Sequence, residues 1–190
     1  MRRKRSRASE RGDESPLSEY STEGSLVADS ASPIIVCRVS TPEGVRDYVT
    51  CVPEQTVFER GLSPEAIIGV LLQPVDRVSS ITPAIFARNR VFVDFLHAVI
   101  ARRAPNLPGL ISEARRQENG WVYVIDQRTR TPQGQVLPED IIGAFEVQGG
   151  QLVLNSYQPS AKHQILSADG FFCLGAELQA CLLEELALTT

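Results

Sequence analysis

Lysine is almost missing from this chain of 190 residues: Lys4 and Lys162 are the only two, and arginine carries nearly all the basic charge. A glycine-rich loop closing on a phosphate-binding lysine is therefore absent, and a Schiff-base lysine would have to be Lys162. Histidine is equally scarce, so any mechanism built on imidazole must use His97 or His163. Cys37, Cys51, Cys173 and Cys181 show no C-x-x-C spacing, and with so few histidines they suggest no zinc ligand set; no motif suggests a cofactor. No uninterrupted apolar run approaches the ~20 residues of a membrane-spanning helix, so no membrane insertion is expected. The basic head of the chain runs into serines and acids rather than an apolar core, unlike a secretory leader. A cytoplasmic location with reduced thiols is the resulting expectation. A bridge between Cys37 and Cys51 is conceivable, because their two segments are expected to pair.

What is there begins with a change of character near Pro33. Residues 1–32 pass from a basic head (Arg2, Arg3, Lys4, Arg5, Arg7) to a Ser- and acid-rich stretch poor in apolar residues. Such a stretch buries too little surface to offset the entropy of ordering it, so a disordered arm is expected. Acids and bases balance within the arm, and the formal net charge of -4 therefore falls on residues 33–190. That length suits one domain. The sign does not suit a duplex-binding surface, which normally carries a basic footprint.

The domain reads as α+β: an N-terminal β-hairpin, central helices, a small antiparallel β-meander and a C-terminal helix. Strands over 34–39 and 45–52 flank the turn Thr41-Pro42-Glu43-Gly44. Ser63-Pro64 and Thr82-Pro83 are helix-start signals, predicting helices over 64–72 and from Pro83 to about Arg103. In the longer one, Ile85, Phe92, Leu96 and Val99 share a face that Phe86, Val93 and Ile100 widen, and His97 falls at its edge. A shorter helix over 110–117 precedes Asn119-Gly120. Strands are expected over 121–125, 141–147 and 151–154, the last two joined at Gly149-Gly150, and a final helix over 176–188. The segregation of strands from helices argues against a doubly wound sheet. A short echo, Pro64-Glu65-Ala66-Ile67-Ile68-Gly69 against Pro138-Glu139-Asp140-Ile141-Ile142-Gly143, reads as coincidence. Its two continuations point toward helix and strand respectively, and genuine repeats sustain a period.

The polar loop from Asp126 to Asp140 is the best candidate site. Asp126 closes a strand, Arg128 and Arg130 suit bidentate grip of a carboxylate or phosphate, and Glu139 and Asp140 close the far side. Loops of that length are often functional. The leading expectation is a non-catalytic interaction module that binds a protein partner through this loop and the adjacent sheet. A second reading is a small enzyme using His163 with Cys173 or a carboxylate such as Asp169, although no G-x-S-x-G or comparable signature supports it. A third is nucleic-acid binding through the basic head and Arg88, Arg90, Arg102, Arg103, Arg115 and Arg116, which face only Asp94 and Glu113 in that window. No aromatic stacking platform accompanies those arginines.

Overall fold

β-Branched residues on either side of a tight turn make a hairpin in the computed structural model, which describes residues 34–42, 44–128 and 136–189. The arm and Arg130 lie outside the described residues. Strands β1 (Ile35–Thr41) and β2 (Gly44–Thr50) pair antiparallel, with Cys37 opposite Tyr48 and Val36 opposite Val49. The register sets Ile35 against Thr50, so Cys51 lies level with Ile34, three residues from Cys37 along the ladder. That is about 10 Å at ~3.4 Å per residue, beyond the span of a disulfide. Both thiols are free and buried.

Helix α1 (Glu54–Arg60) follows directly, although sequence reasoning leaves this stretch without an element. Its signals were present: Pro53 at the start, Glu54 in the first turn and Gly61 at the stop, with φ +81°. The helix expected over 64–72 does not form. Pro64–Ala66 makes one 3-10 turn, and β3 (Gly69–Leu71) pairs with β2 on one side and β4 (Phe86–Arg88) on the other. A short, uniformly apolar run has no periodicity to separate helix from buried strand, and the two flanking ladders decide it.

The Thr82-Pro83 signal likewise delivers only a 3-10 turn, Pro83–Ile85. The central helix α2 (Arg90–Arg103) starts instead at Asn89, whose side chain accepts a hydrogen bond from the Val91 N–H and donates to the carbonyls of Pro64 and Ile67. Phe92, Leu96, Val99 and Ile100 are buried, as the helical spacing predicts, while Ile85 and Phe86 lie outside the helix. Helix α3 (Pro108–Gln117) lays Leu110 and Ala114 against Val122, Val147 and Leu152. The meander comprises β5 (Gly120–Ile125), β6 (Ile141–Gln148), β7 (Gln151–Leu152) and β8 (Gln158–Pro159), with β7 and β8 both on the side of β6 away from β5. A ribbon, β9 (Leu166–Ser167) and β10 (Gly170–Phe171), leads into α4 (Ala176–Ala187). Its Leu178, Leu182 and Leu186 join the core beneath α2. The fold is mixed α+β.

The echo between 64–69 and 138–143 is a structural correspondence, and the expectation of coincidence is corrected. Pro138–Asp140 is a 3-10 turn like Pro64–Ala66, and both copies run into strands. Val49 pairs with Gly69 and Tyr48 with Val70; Val124 pairs with Gly143 and Tyr123 with Ala144. On the other flank Gly69 faces Arg88 and Gly143 faces Pro159. The next residue in each case, Asn89 or Ser160, donates its N–H to the carbonyl of Ile68 or Ile142. An aromatic ring two residues before each facing position covers the glycine. A Cβ on Gly69 would meet the Phe86 ring and the Ala87 carbonyl, and one on Gly143 would meet Tyr157. The strand trios β2-β3-β4 and β5-β6-β8 are thus the same unit built twice.

Gly69→Ala forces a methyl against main chain and should cost about 1–3 kcal/mol in urea unfolding. Gly109→Ala, in α3 with open space around it, should instead stabilise by about 0.5–1 kcal/mol.

Candidate functional site

Asp126 directly follows β5 and turns its side chain inward, where no part of it meets solvent. One carboxylate oxygen, Oδ1, accepts the backbone N–H groups of Arg128 at 3.0 Å and Cys173 at 2.8 Å. The other, Oδ2, takes the Arg128 guanidinium at 2.6 Å and His163 Nε2 at 3.0 Å. With a carboxylate as acceptor, His163 must carry its proton on Nε2. Arg128 also reaches the carbonyls of Gly170, at 3.0 Å, and Gln164, while its Nε stands 3.2 Å from Asp140 Oδ1. Side-chain exposure is 3 % or less for all four groups. Two carboxylates, one guanidinium and one imidazole therefore share a dry pocket and tie together residues 126–128, 139–140, 163–164 and 170–173.

This placement differs from the sequence expectation. Asp126, Arg128 and Asp140 are not held out to a ligand; their charges are spent on one another and on main-chain groups. Arg128 Nε and both Asp140 oxygens lack well-aligned hydrogen bonds, so the Arg128–Asp140 contact is one of charge rather than of directed bonding. Glu139 is half-buried, and its carbonyl receives the Gln164 N–H at 3.3 Å. Burial alone would raise the Asp126 carboxyl, but the hydrogen bonds from His163, Cys173 and Arg128, with the arginine charge, hold it below the ordinary carboxylate value.

The candidates for chemistry divide. His163 meets Asp126, as a catalytic histidine meets its orienting carboxylate, but Cys173 joins through its backbone N–H; its thiol contacts the Leu174 carbonyl. Burial and the Asp126 charge push the Cys173 thiol up, which disfavours the thiolate a nucleophile requires. Asp169 sits exposed at the β9–β10 turn, its N–H bonded to Ser167 Oγ. A cleft of about 150 Å³, lined by Pro83, Phe86, Arg88, Gln164, Ile165 and Leu166, includes neither His163 nor Cys173. Among the described residues no cluster of His, Cys, Asp and Glu is arranged to hold a metal, and no helix is long and apolar enough to cross a membrane.

The arginine patch also changes meaning. Arg102 meets Glu185 at 2.6 Å, Arg103 meets both Glu184 and Glu185, Arg116 meets Glu113 and Arg90 meets Asp94. Glu184 and Glu185, which a local window cannot pair with α2, come from α4 and fasten the two helices together.

The sheet surface beside the loop has a distinct character. Along β5 the buried Val122 and Val124 alternate with Trp121, Tyr123 and Ile125, which are 37 %, 52 % and 41 % exposed. Leu137, 40 % exposed, precedes the turn into β6. Sequence reasoning also missed Tyr157, which covers Gly143 and donates or accepts at 2.8 Å with His97 Nδ1. No family model matches the chain, and neither does any curated protein or solved structure.

Asp126→Ala leaves the buried guanidinium with the undirected Asp140 contact and main-chain carbonyls, and strips the acceptor from His163 and two backbone N–H groups; it should cost about 3–5 kcal/mol. Because the folded carboxyl lies below 3.8, its contribution is complete above that pH. It is lost as pH falls below 3.8 toward the folded value. The stability of wild type should therefore drop more steeply below pH 4 than that of Asp126→Asn, as read by denaturant midpoints across the acid range.

Proposed function

We propose that this chain is a non-catalytic interaction module that binds a protein partner on the sheet surface beside the 126–140 loop. The observation that carries this reading is the row Trp121, Tyr123 and Ile125, set on one face of β5 while the other face is packed against α3. Single exposed apolar residues are ordinary, but two aromatics and an isoleucine in register form a contiguous strip. Trp and Tyr are the residue types that supply most binding energy at interfaces. The buried Asp126 cluster supports the reading indirectly, because it pins the end of β5 and the return into β6 to the rest of the fold. A strip held in place this way loses little freedom on binding.

The enzyme reading has weaker support, since the His163–Asp126 pair is occupied in bonding four chain segments and the Cys173 thiol is pushed away from its reactive form. For nucleic acid, four of the six arginines in the 88–116 window are paired to carboxylates.

Capture from the source lysate with wild type and with Tyr123→Ser, quantified by mass spectrometry, tests the proposal. A partner retained by wild type should fall at least tenfold with Tyr123→Ser and persist with Phe58→Ser, which alters an exposed apolar residue on α1. Equal retention by all three forms overturns it.

A further inference from the structure

The duplicated unit shows what the exposed edge of β5 would accept. In the first copy, β2 lies between two neighbours: β3 on one side and β1 on the other. In the second copy, β5 corresponds to β2 and β6 to β3, but no described strand occupies the place of β1. We infer that the edge of β5 left without a described strand takes an extended segment of a partner protein as an antiparallel strand, in the place β1 holds beside β2. This rests on the proposed interaction role and names its mode.

Main-chain direction supports the assignment. Glu146 gives its carbonyl to the Val153 N–H and its N–H to Ser156 Oγ, and Ile142 gives its carbonyl to the Ser160 N–H. The even-numbered residues of β6 thus point their polar groups away from β5. Their cross-strand partners Trp121 and Tyr123 must then point theirs toward the open edge, because groups in a non-hydrogen-bonded antiparallel pair diverge. In the first copy Val49 accepts from the Ile68 N–H, which turns the polar groups of Tyr48 toward Cys37 of β1. Tyr48 and Tyr123 are equivalent in register, but on the side away from β3 and β6 respectively only Tyr48 has a described strand beside it. An unpaired edge of this kind is a template for strand addition.

The occupant follows from size and pattern. Trp121, Tyr123 and Ile125 offer roughly 300 Å² of apolar surface, judged from aromatic areas of ~150–250 Å². A stable dimer needs ~800 Å² on each partner, so a second copy is poorly served by the strip, while one strand fits it. Side chains opposite the strip must be apolar at alternate positions, as pleating dictates. Helix α3 does not block the approach, since it touches Val122, Val147 and Leu152 across the opposite face.

The test pans a phage-displayed random heptapeptide library against the full-length protein. Enriched peptides are synthesised and followed by amide hydrogen exchange. Apolar residues should alternate in the enriched set, and the Trp121 and Tyr123 amides should slow at least tenfold in the complex. N-methylation of the peptide amides facing β5 should weaken binding at least tenfold, with little change at the alternate amides. The inference is overturned if no peptide is enriched, if bound peptides leave both amides unprotected, or if protection arises from dimerisation without peptide. A cellular partner lost with Tyr123→Ser while those amides stay unprotected would retain the interaction role and reject strand addition.

Discussion

The Asp126 carboxylate is the point on which the local architecture of the site depends. It has no access to water and therefore must have every lone pair answered from within the chain. Backbone N–H groups of Arg128 and Cys173, the guanidinium and the imidazole supply those answers. Each comes from a segment without long regular structure, so the carboxylate does for these segments what a ladder does for strands. The result is a stiff seam between the meander and the turn that precedes α4.

The seam occupies positions that have counterparts in the first unit. Cys51 and Ala66 are buried in the first copy, and the matching positions of the second copy hold Asp126 and Asp140. Two positions that are apolar in the first copy are acidic in the second, and Arg128 stands between the carboxylates. A buried ion cluster of this sort seldom exceeds well-packed apolar residues in stability. Its consequence is geometric: it fixes how β5 ends and where β6 begins, next to a strand edge that β1 covers in the first copy and no described strand covers in the second.

Exposure along β5 gains meaning only in that setting. Trp121 and Tyr123 project from a strand whose inner face is packed and whose terminus is clamped, while their main-chain groups face outward. Binding surfaces commonly combine such rigid aromatic anchors with a supported backbone. Polarity alone points to the 126–140 loop, but Asp126, Arg128 and Asp140 turn inward and the neighbouring Trp121, Tyr123 and Ile125 are the exposed residues.

Local chemistry alone determined much of this protein. The β1–β2 hairpin follows from β-branched residues around Pro42 and Gly44, the faces of α2 and α4 from 3.6-residue periodicity, and the β6–β7 turn from Gly149-Gly150, both at positive φ. These depend on neighbours in sequence, which a reader of residues can see. The strand at 69–71, the pairing of Arg102 and Arg103 with α4, the burial of Arg128 and the correspondence of the two units were decided by tertiary structure. An apolar run becomes a strand when ladders form on both sides, and an arginine turns inward when distant carboxylates and carbonyls replace its water.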